Sequence, residues 1–180
     1  MLTITLPRTE LFDNKKQEFV YIDGKTIQME HSLVSISKWE SRWNMPFISD
    51  EPRAEIQKID YYICMTITQN VTPMDFRALT PELQSKIEAY IAAPMTATIL
   101  PPPPKRTGKR EVVTSEKIYA AMIANKIPFE CQKWHLNRLV TLIQLCSEQN
   151  TPPKKASPEE IAAKNRRINE ANRLKYKSRG

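Results

Sequence analysis

The chain has 180 residues with 14 prolines, three glycines and a formal charge of +7, long enough for one domain with a real core plus appendages. Its 41% hydrophobic content predicts that some segments stay outside that core. No apolar run nears the ~20 residues of a membrane span, no G-x-G-x-x-G or Walker pattern is present to cradle a phosphate, and the three scattered cysteines, Cys64, Cys131 and Cys146, point to reduced thiols of a cytosolic setting rather than a disulfide framework.

The N-terminal MLTITLPRTELFD lacks a basic segment followed by an apolar core, so no signal peptide is expected. LTITL alternates apolar and polar residues and predicts a strand. EFVYI, then Asp23-Gly24, then KTIQMEH predicts a hairpin closed by the Asp-Gly pair, because both turn residues tolerate positive φ. Phe19 and Tyr21 would share one strand face, and Ile27 and Met29 a face of the partner. In SLVSISKWESRW the period changes. Leu33, Ile36, Trp39, Glu40 and Trp43 follow helical spacing, Ser32 is the N-cap candidate, and Asn44-Met45-Pro46 should end the helix. Asp50, Glu51 and Pro52 open a second helix, with a stripe of Ile56, Ile59, Ile63 and Ile67.

Thr72-Pro73 and Thr80-Pro81 each offer a capping hydroxyl with proline at the first helical position. The second leads a helix with Leu83, Ile87, Tyr90 and Ile91 on one side, stopped by Pro94. MTATIL alternates again and is a candidate to return to the sheet. PPPPKRTGKR, residues 101 to 110, is a linker by composition, a semi-rigid polyproline spacer. Beyond it Ile118, Tyr119, Met122 and Ile123 line one helix, Pro128 breaks it, and a second helix runs from about Phe129 to Gln149, giving a helical hairpin. In SPEE, residues 157 to 160, Ser157 caps a last helix with Pro158 at its first position and Glu160 closing a capping box.

The organisation read from these signals is an α+β fold, with an N-terminal β-hairpin or small sheet, a mostly helical body and a basic C-terminal helix. Residues 1–100 form the α+β part, 101–114 the Pro-rich basic linker, 115–149 the helical hairpin and 150–180 the tail. From Lys154 to Gly180 there are nine Lys/Arg and three Glu, a net +6, so the other residues carry 7 − 6 = +1. Such a tail suits contact with nucleic acid or an acidic partner, or serves as a solubilising helix.

CQKWHLNRL, residues 131 to 139, places Cys131 and His135 four apart, on one face of the predicted helix. That face continues through Leu139, Leu142, Ile143, Leu145 and Cys146, wide enough to pack against two elements. Zinc needs three or four protein ligands, and these two have only His31 and Cys64 as distant company. A thiol nucleophile would want a cleft and an oxyanion donor. The simpler reading is a small buried thiol and a hydrogen-bonded histidine. Trp39, Trp43 and Trp134 lack interleaved basic residues and read as packing anchors rather than base-stacking platforms.

HSLVSISKWESRW, IDYYICMTITQNV, PMTAT and IANKIPFECQKWHLNRLVTLIQLC followed by a basic tail resemble the tail assembly chaperones of long-tailed, siphovirus-like bacteriophages. The resemblance covers nearly the whole chain and rests on packing patterns rather than chemistry. The family is predominantly helical, and the β-rich start departs from it. The resemblance implies a non-enzymatic protein of the infected host's cytoplasm, without cofactor or metal. It would bind the tape measure protein and keep it soluble while tail tube subunits polymerise around it, with the tail tube protein as a further partner; members of the family are not usually retained in the finished virion. Many members exist in a short and a frameshift-extended form. Pro153-Lys154-Lys155 lies at the seam where lysine codons could slip.

The partner-binding candidates are Trp43, Ile63, Trp134, His135, Arg138 and Leu142, with Lys164, Arg166, Arg167, Arg173 and Lys175 in the tail. Self-association and nucleic-acid contact through the tail stay open; a membrane partner is not expected. Two other classes compete: a structural virion component such as a connector, and a nucleic-acid-binding accessory protein. Because the chain offers too few ligands for zinc, protein purified without chelator is expected to hold far less than one zinc per chain by elemental analysis.

Overall fold

The two alternating runs LTITL and KTIQM pair with each other. β1 (Leu2–Leu6) lies antiparallel to β4 (Lys25–Met29), with Leu2 opposite Met29 and Ile4 opposite Ile27. Between them β2 (Thr9–Asp13) and β3 (Glu18–Ile22) form a second antiparallel pair, with Phe12 opposite Phe19. The computed structural model describes all residues except 15–16, 50, 101–111, 151–161, 163–164, 167, 171–172 and 174–180, and the side chain of Asp13.

The expected hairpin between residues 18–22 and 25–29 is therefore corrected. Its strands do not pair with each other; the ribbon reverses between Asp13 and Glu18, with Gln17 in the left-handed region at φ 54°. Asp23-Gly24 instead faces Pro7-Arg8, two residues against two, so the register runs unbroken from the inner pair of strands to the outer. Pro7 has no N–H to give to a ladder, which explains the interruption there. Gly24 is needed for close approach, because a Cβ would lie 3.3 Å from the Leu6 carbonyl oxygen.

Across that interruption the inward face switches. Leu2, Ile4, Leu6, Ile27 and Met29 are buried in the inner half, whereas Leu11 and Ile22 turn to the core in the outer half. Phe12, Phe19 and Tyr21 are left exposed, with the two phenylalanine rings edge to face at 5.1 Å.

α1 (Leu33–Trp43) starts and stops where its residues dictate. Ser32 and Ser35 cap each other's backbone N–H groups, and Asn44 closes the end in a left-handed conformation at φ 50°. Leu33, Ile36 and Trp39 are buried, and so is Glu40. The Glu40 carboxylate accepts from the backbone N–H of Phe47 and of Ser115, each at 2.7 Å. One side chain thereby ties α1 to the loop after it and to the start of α4 (Ser115–Ala124).

α2 (Glu55–Met65) turns a different face inward from the one expected. Tyr61, Tyr62, Cys64 and Met65 are buried; Ile59 and Ile63 are half-buried, and Ile56 is 68% exposed. The tyrosines carry hydroxyls that find partners inside, whereas the isoleucine stripe ends early because the helix does. Thr66 is extended, bridges Met29, and the N–H of Ile67 reaches the Gln28 carbonyl, so the chain runs along the β4 edge. Ile67 is consequently 55% exposed.

Thr72-Pro73 opens only a 3-10 turn, Asp75–Ala78, in which the Asp75 carboxylate accepts from Thr72, the reverse of the expected cap. Thr80 does cap α3 (Pro81–Ala92), with Pro81 in the first turn and Ile87 buried. MTATIL does not return to the sheet: residues 95–100 form no strand and Ile99 is 95% exposed.

α4 buries Ile118 and Met122 but leaves Ile123 exposed. It ends with Lys126 left-handed and the Ile127 N–H on the Met122 carbonyl. After Pro128 the structure corrects the expected long helix. Phe129–Lys133 is a 3-10 turn, Trp134 is extended, and α5 spans Leu136–Asn150. The backbone of His135 bridges that of Ser32, and the Leu136 N–H donates to the His31 carbonyl at 2.7 Å, which pulls this stretch out of helix. Cys131 and His135 are each buried, yet they share no helix face.

The fold is α+β, and Met1–Glu148 forms one compact unit. In the second, Gln149–Gly180, the described residues Ala162, Asn165, Arg166, Ile168, Asn169, Glu170 and Arg173 are helical. The proline linker, the SPEE cap, the Pro153 seam and Lys164, Arg167 and Lys175 lie outside the described residues. Replacing Glu40 by Ala strands two buried N–H groups and is expected to cost about 2–4 kcal/mol. A lowered urea midpoint at unchanged slope would report it, with Glu40→Gln costing less because one acceptor oxygen remains.

Candidate functional site

The tripeptide Glu30-His31-Ser32, between β4 and α1, is where four helices meet. Its backbone takes hydrogen bonds to Met65 at the end of α2 and to Leu136 at the start of α5. Glu30 accepts from the Tyr90 hydroxyl of α3 at 2.6 Å. His31 is 3% exposed, its Nδ1 bonded to the Tyr61 hydroxyl.

Donor counting orients this chain. Ser35 Oγ already donates to the Ser32 carbonyl, so it can only accept from Tyr61, whose hydroxyl must in turn accept from His31 Nδ1–H. His135, whose ring centroid is 5.0 Å from that of His31, donates from Nε2 to the Tyr90 carbonyl and accepts at Nδ1 from the Asn137 N–H. His135 is therefore neutral, and burial keeps His31 neutral as well. Burial, then the neighbouring His135 and Arg53, lower the His31 pKa to about 3; burial also lowers that of His135, against the opposing Tyr90 carbonyl. Burial raises Tyr61 far above the usual phenol range, against the hydrogen bond with Ser35.

Beside this hub an open groove of about 770 Å³ runs past the end of α3 and the start of α5. Ile91, Leu136 and Val140 form one wall. Phe47, Ile48, Val112 and Val113 form the other, where Ile48 bridges Val113. The polar lining is sparse: His31, Ser49, Glu51, Arg53 and Asn137. Asn137 is committed through its amide to the Ile91 and Ala93 carbonyls.

Arg53 is held flat. Its guanidinium carbon sits 4.0 Å from the Phe47 ring centroid and 5.5 Å from that of Trp39, and a terminal nitrogen donates to the Phe47 carbonyl. Its Nε is buried without a hydrogen-bond partner. Burial pulls its pKa below the usual guanidinium range, with Tyr61 acting the other way. A smaller recess of about 200 Å³, lined by Lys58, Tyr61, Tyr62 and Glu88, shares Phe47, Arg53 and Ile91 with the groove.

The residues singled out from sequence fall in different places. His135 is buried in the hub. Trp134 is half-buried under the Arg138 guanidinium at 4.3 Å, and Leu142 is half-buried further along α5. Trp43 donates to Asp60 at 2.9 Å on the α1–α2 side, where Arg42 also pairs with Asp60, and Ile63 is half-buried on α2. Arg166 and Arg173 are exposed. Arg53 and Phe47 went unremarked in sequence. The one available signal was an arginine beside proline in the short irregular run PFISDEPR, where a side chain is set by tertiary packing rather than by period.

Among the described residues no three His, Cys, Asp or Glu side chains gather as a metal site, and no helix is long and apolar enough to cross a membrane. The geometry offers shape and apolar surface with one guanidinium, an arrangement suited to binding.

No family model, curated protein or solved structure matches the chain.

The two depressed histidines fix the sign of the pH response. Unfolded histidine binds protons below about 6.5, and the folded protein excludes them. Stability is full above that pH and falls as pH drops toward about 3 for His31. The slope should approach about 1.4 kcal/mol per pH unit for His31, with His135 acting in the same direction. His31→Asn, whose amide can still donate to Tyr61, should flatten urea midpoints measured from pH 6.5 down to 4.

Proposed function

We propose that this protein is a non-catalytic phage tail assembly chaperone that holds an amphipathic helical segment of the tape measure protein. The observation that carries the reading is the open apolar groove walled on one side by α3 and α5, with its single arginine. A tape measure protein has an apolar helix face that it cannot bury alone, and a groove between helices is how such a face is received.

Further apolar surface supports the same reading. Phe12, Phe19, Tyr21, Ile123 and Phe129 are exposed on ordered elements. The segments that carry the family resemblance supply Ser35, Tyr61, His135 and Leu136, which meet at one hub next to the groove. The tail, net +6 from Lys154 onward, supplies long-range attraction to an acidic or mixed-charge partner without adding core.

Co-expression with the tape measure protein encoded in the same genome tests this directly. The expected outcome is a soluble complex that elutes together. If the tape measure protein is equally soluble without this chain and no complex forms, the reading is wrong. A virion component or a nucleic-acid-binding protein acting through the tail would replace it, recognised by presence in purified particles or by salt-steep DNA binding. Arg166→Glu with Arg167→Glu is expected to slow association and weaken its salt dependence while leaving dissociation nearly unchanged.

A further inference from the structure

A guanidinium inside an apolar groove is costly when one of its N–H groups has nothing to donate to. Arg53 is in that position. Its Nε is buried and unpaired, and the aromatic and carbonyl contacts of this half-buried side chain include no carboxylate. Among the described residues no carboxylate lies within ion-pair distance of it. Glu88 lines the adjoining recess but is engaged by Gln84 at 3.1 Å and by Tyr62. Glu51 also lines the groove but forms no ion pair with Arg53, and the rest of the walls is aliphatic, with Ile91 and Val140 on one side and Ile48 and Val113 on the other. The volume, about 770 Å³, exceeds what one side chain fills.

We infer that the groove takes a helix carrying a carboxylate among large apolar residues, and that the carboxylate pairs with Arg53. An Asp or Glu side chain supplies the two acceptor oxygens that match the guanidinium fork. Ile or Leu residues one turn to either side fill the aliphatic walls. The occupant is thus an acidic-apolar segment of the tape measure protein. This rests on the chaperone reading and locates its contact: Arg53 is the specificity-determining residue, and Phe47, braced by Glu40, holds it in place.

The test uses the full-length chain and the co-expressed tape measure protein. A photo-crosslinking amino acid replaces Ile48 or Val113, both partly exposed on the groove wall. Adducts should map to a tape measure peptide with Asp or Glu flanked by aliphatic residues. Val140→Trp, which fills the groove, and Arg53→Gln, which removes the charge, should each weaken the complex at least about tenfold. Thermal melts must show both variants folded; the crosslink needs neither variant and stands if one fails to fold. Changing the mapped acidic residue to Asn or Gln in the partner should give the same loss and add little to Arg53→Gln.

If the wild-type chain binds the tape measure protein, yet the folded Val140→Trp variant binds equally well and no groove crosslink forms, the inference is overturned while the chaperone reading stands. Crosslinks to a second copy of this chain would also overturn it. Absence of any wild-type complex would instead remove the chaperone reading and this contact with it.

Discussion

A single buried carboxylate organises this protein. Glu40 places one oxygen on the Phe47 N–H and the other on the Ser115 N–H, 75 residues away. Removing a carboxylate from water is costly, and two backbone donors compensate by supplying hydrogen bonds to the charged form. Fixing Phe47 in turn fixes the ring against which Trp39, Tyr61 and Arg53 pack, with ring centroids 5.3 and 4.1 Å away for the first two. Fixing Ser115 sets where α4 begins. The groove walls descend from these two anchors, because Ile48 follows Phe47 and pairs with Val113 just ahead of Ser115.

The second constraint is the hub at residues 30–32. Here the polar groups are numerous, and the described contacts place them in two connected chains. One passes from His31 through Tyr61 and Ser35 to the Ser32 carbonyl; the other passes from His135 to the Tyr90 backbone, whose side chain meets Glu30. A satisfied network of this kind specifies one packing of four helices more sharply than aliphatic contacts can. It also explains why two histidines tolerate burial next to each other: His31 is bonded to the Tyr61 hydroxyl, and His135 both donates to the Tyr90 carbonyl and accepts from the Asn137 N–H.

Much of the local structure was legible in the residues. Ser32, Asn44, Thr80 and Pro94 set helix limits through capping and lost donors, and these effects act within one turn. Glu40 follows the helical spacing of Leu33, Ile36 and Trp39, and it is buried with them. What misled was local chemistry overruled by long-range pairing. Asp23-Gly24 has the composition of a tight turn, but the ribbon's register opposes it to Pro7-Arg8 and uses Gly24 for close approach instead. The isoleucines of α2 had helical spacing, yet Tyr61 and Tyr62 won the core because hydroxyl partners waited there. The helix expected from Phe129 onward lost its first turns to a backbone bridge with Ser32. The site was least legible, since Arg53 gains its meaning from Phe47, Trp39 and α5, which no periodicity places together.

The hydrogen bond from Leu136 to His31 spans 136 − 31 = 105 residues. A ribosome adding ~5–20 residues per second needs on the order of 5–20 s to cover that distance. Until then the N-terminus of α1 and the inner ribbon wait for the backbone that completes their hub. Nascent chains of this protein therefore spend seconds without the hydrogen bond that joins the start of α5 to the start of α1. The last-made helix of the body supplies the closing hydrogen bond, and a chain ending before Leu136 would lack the donor that completes this hub.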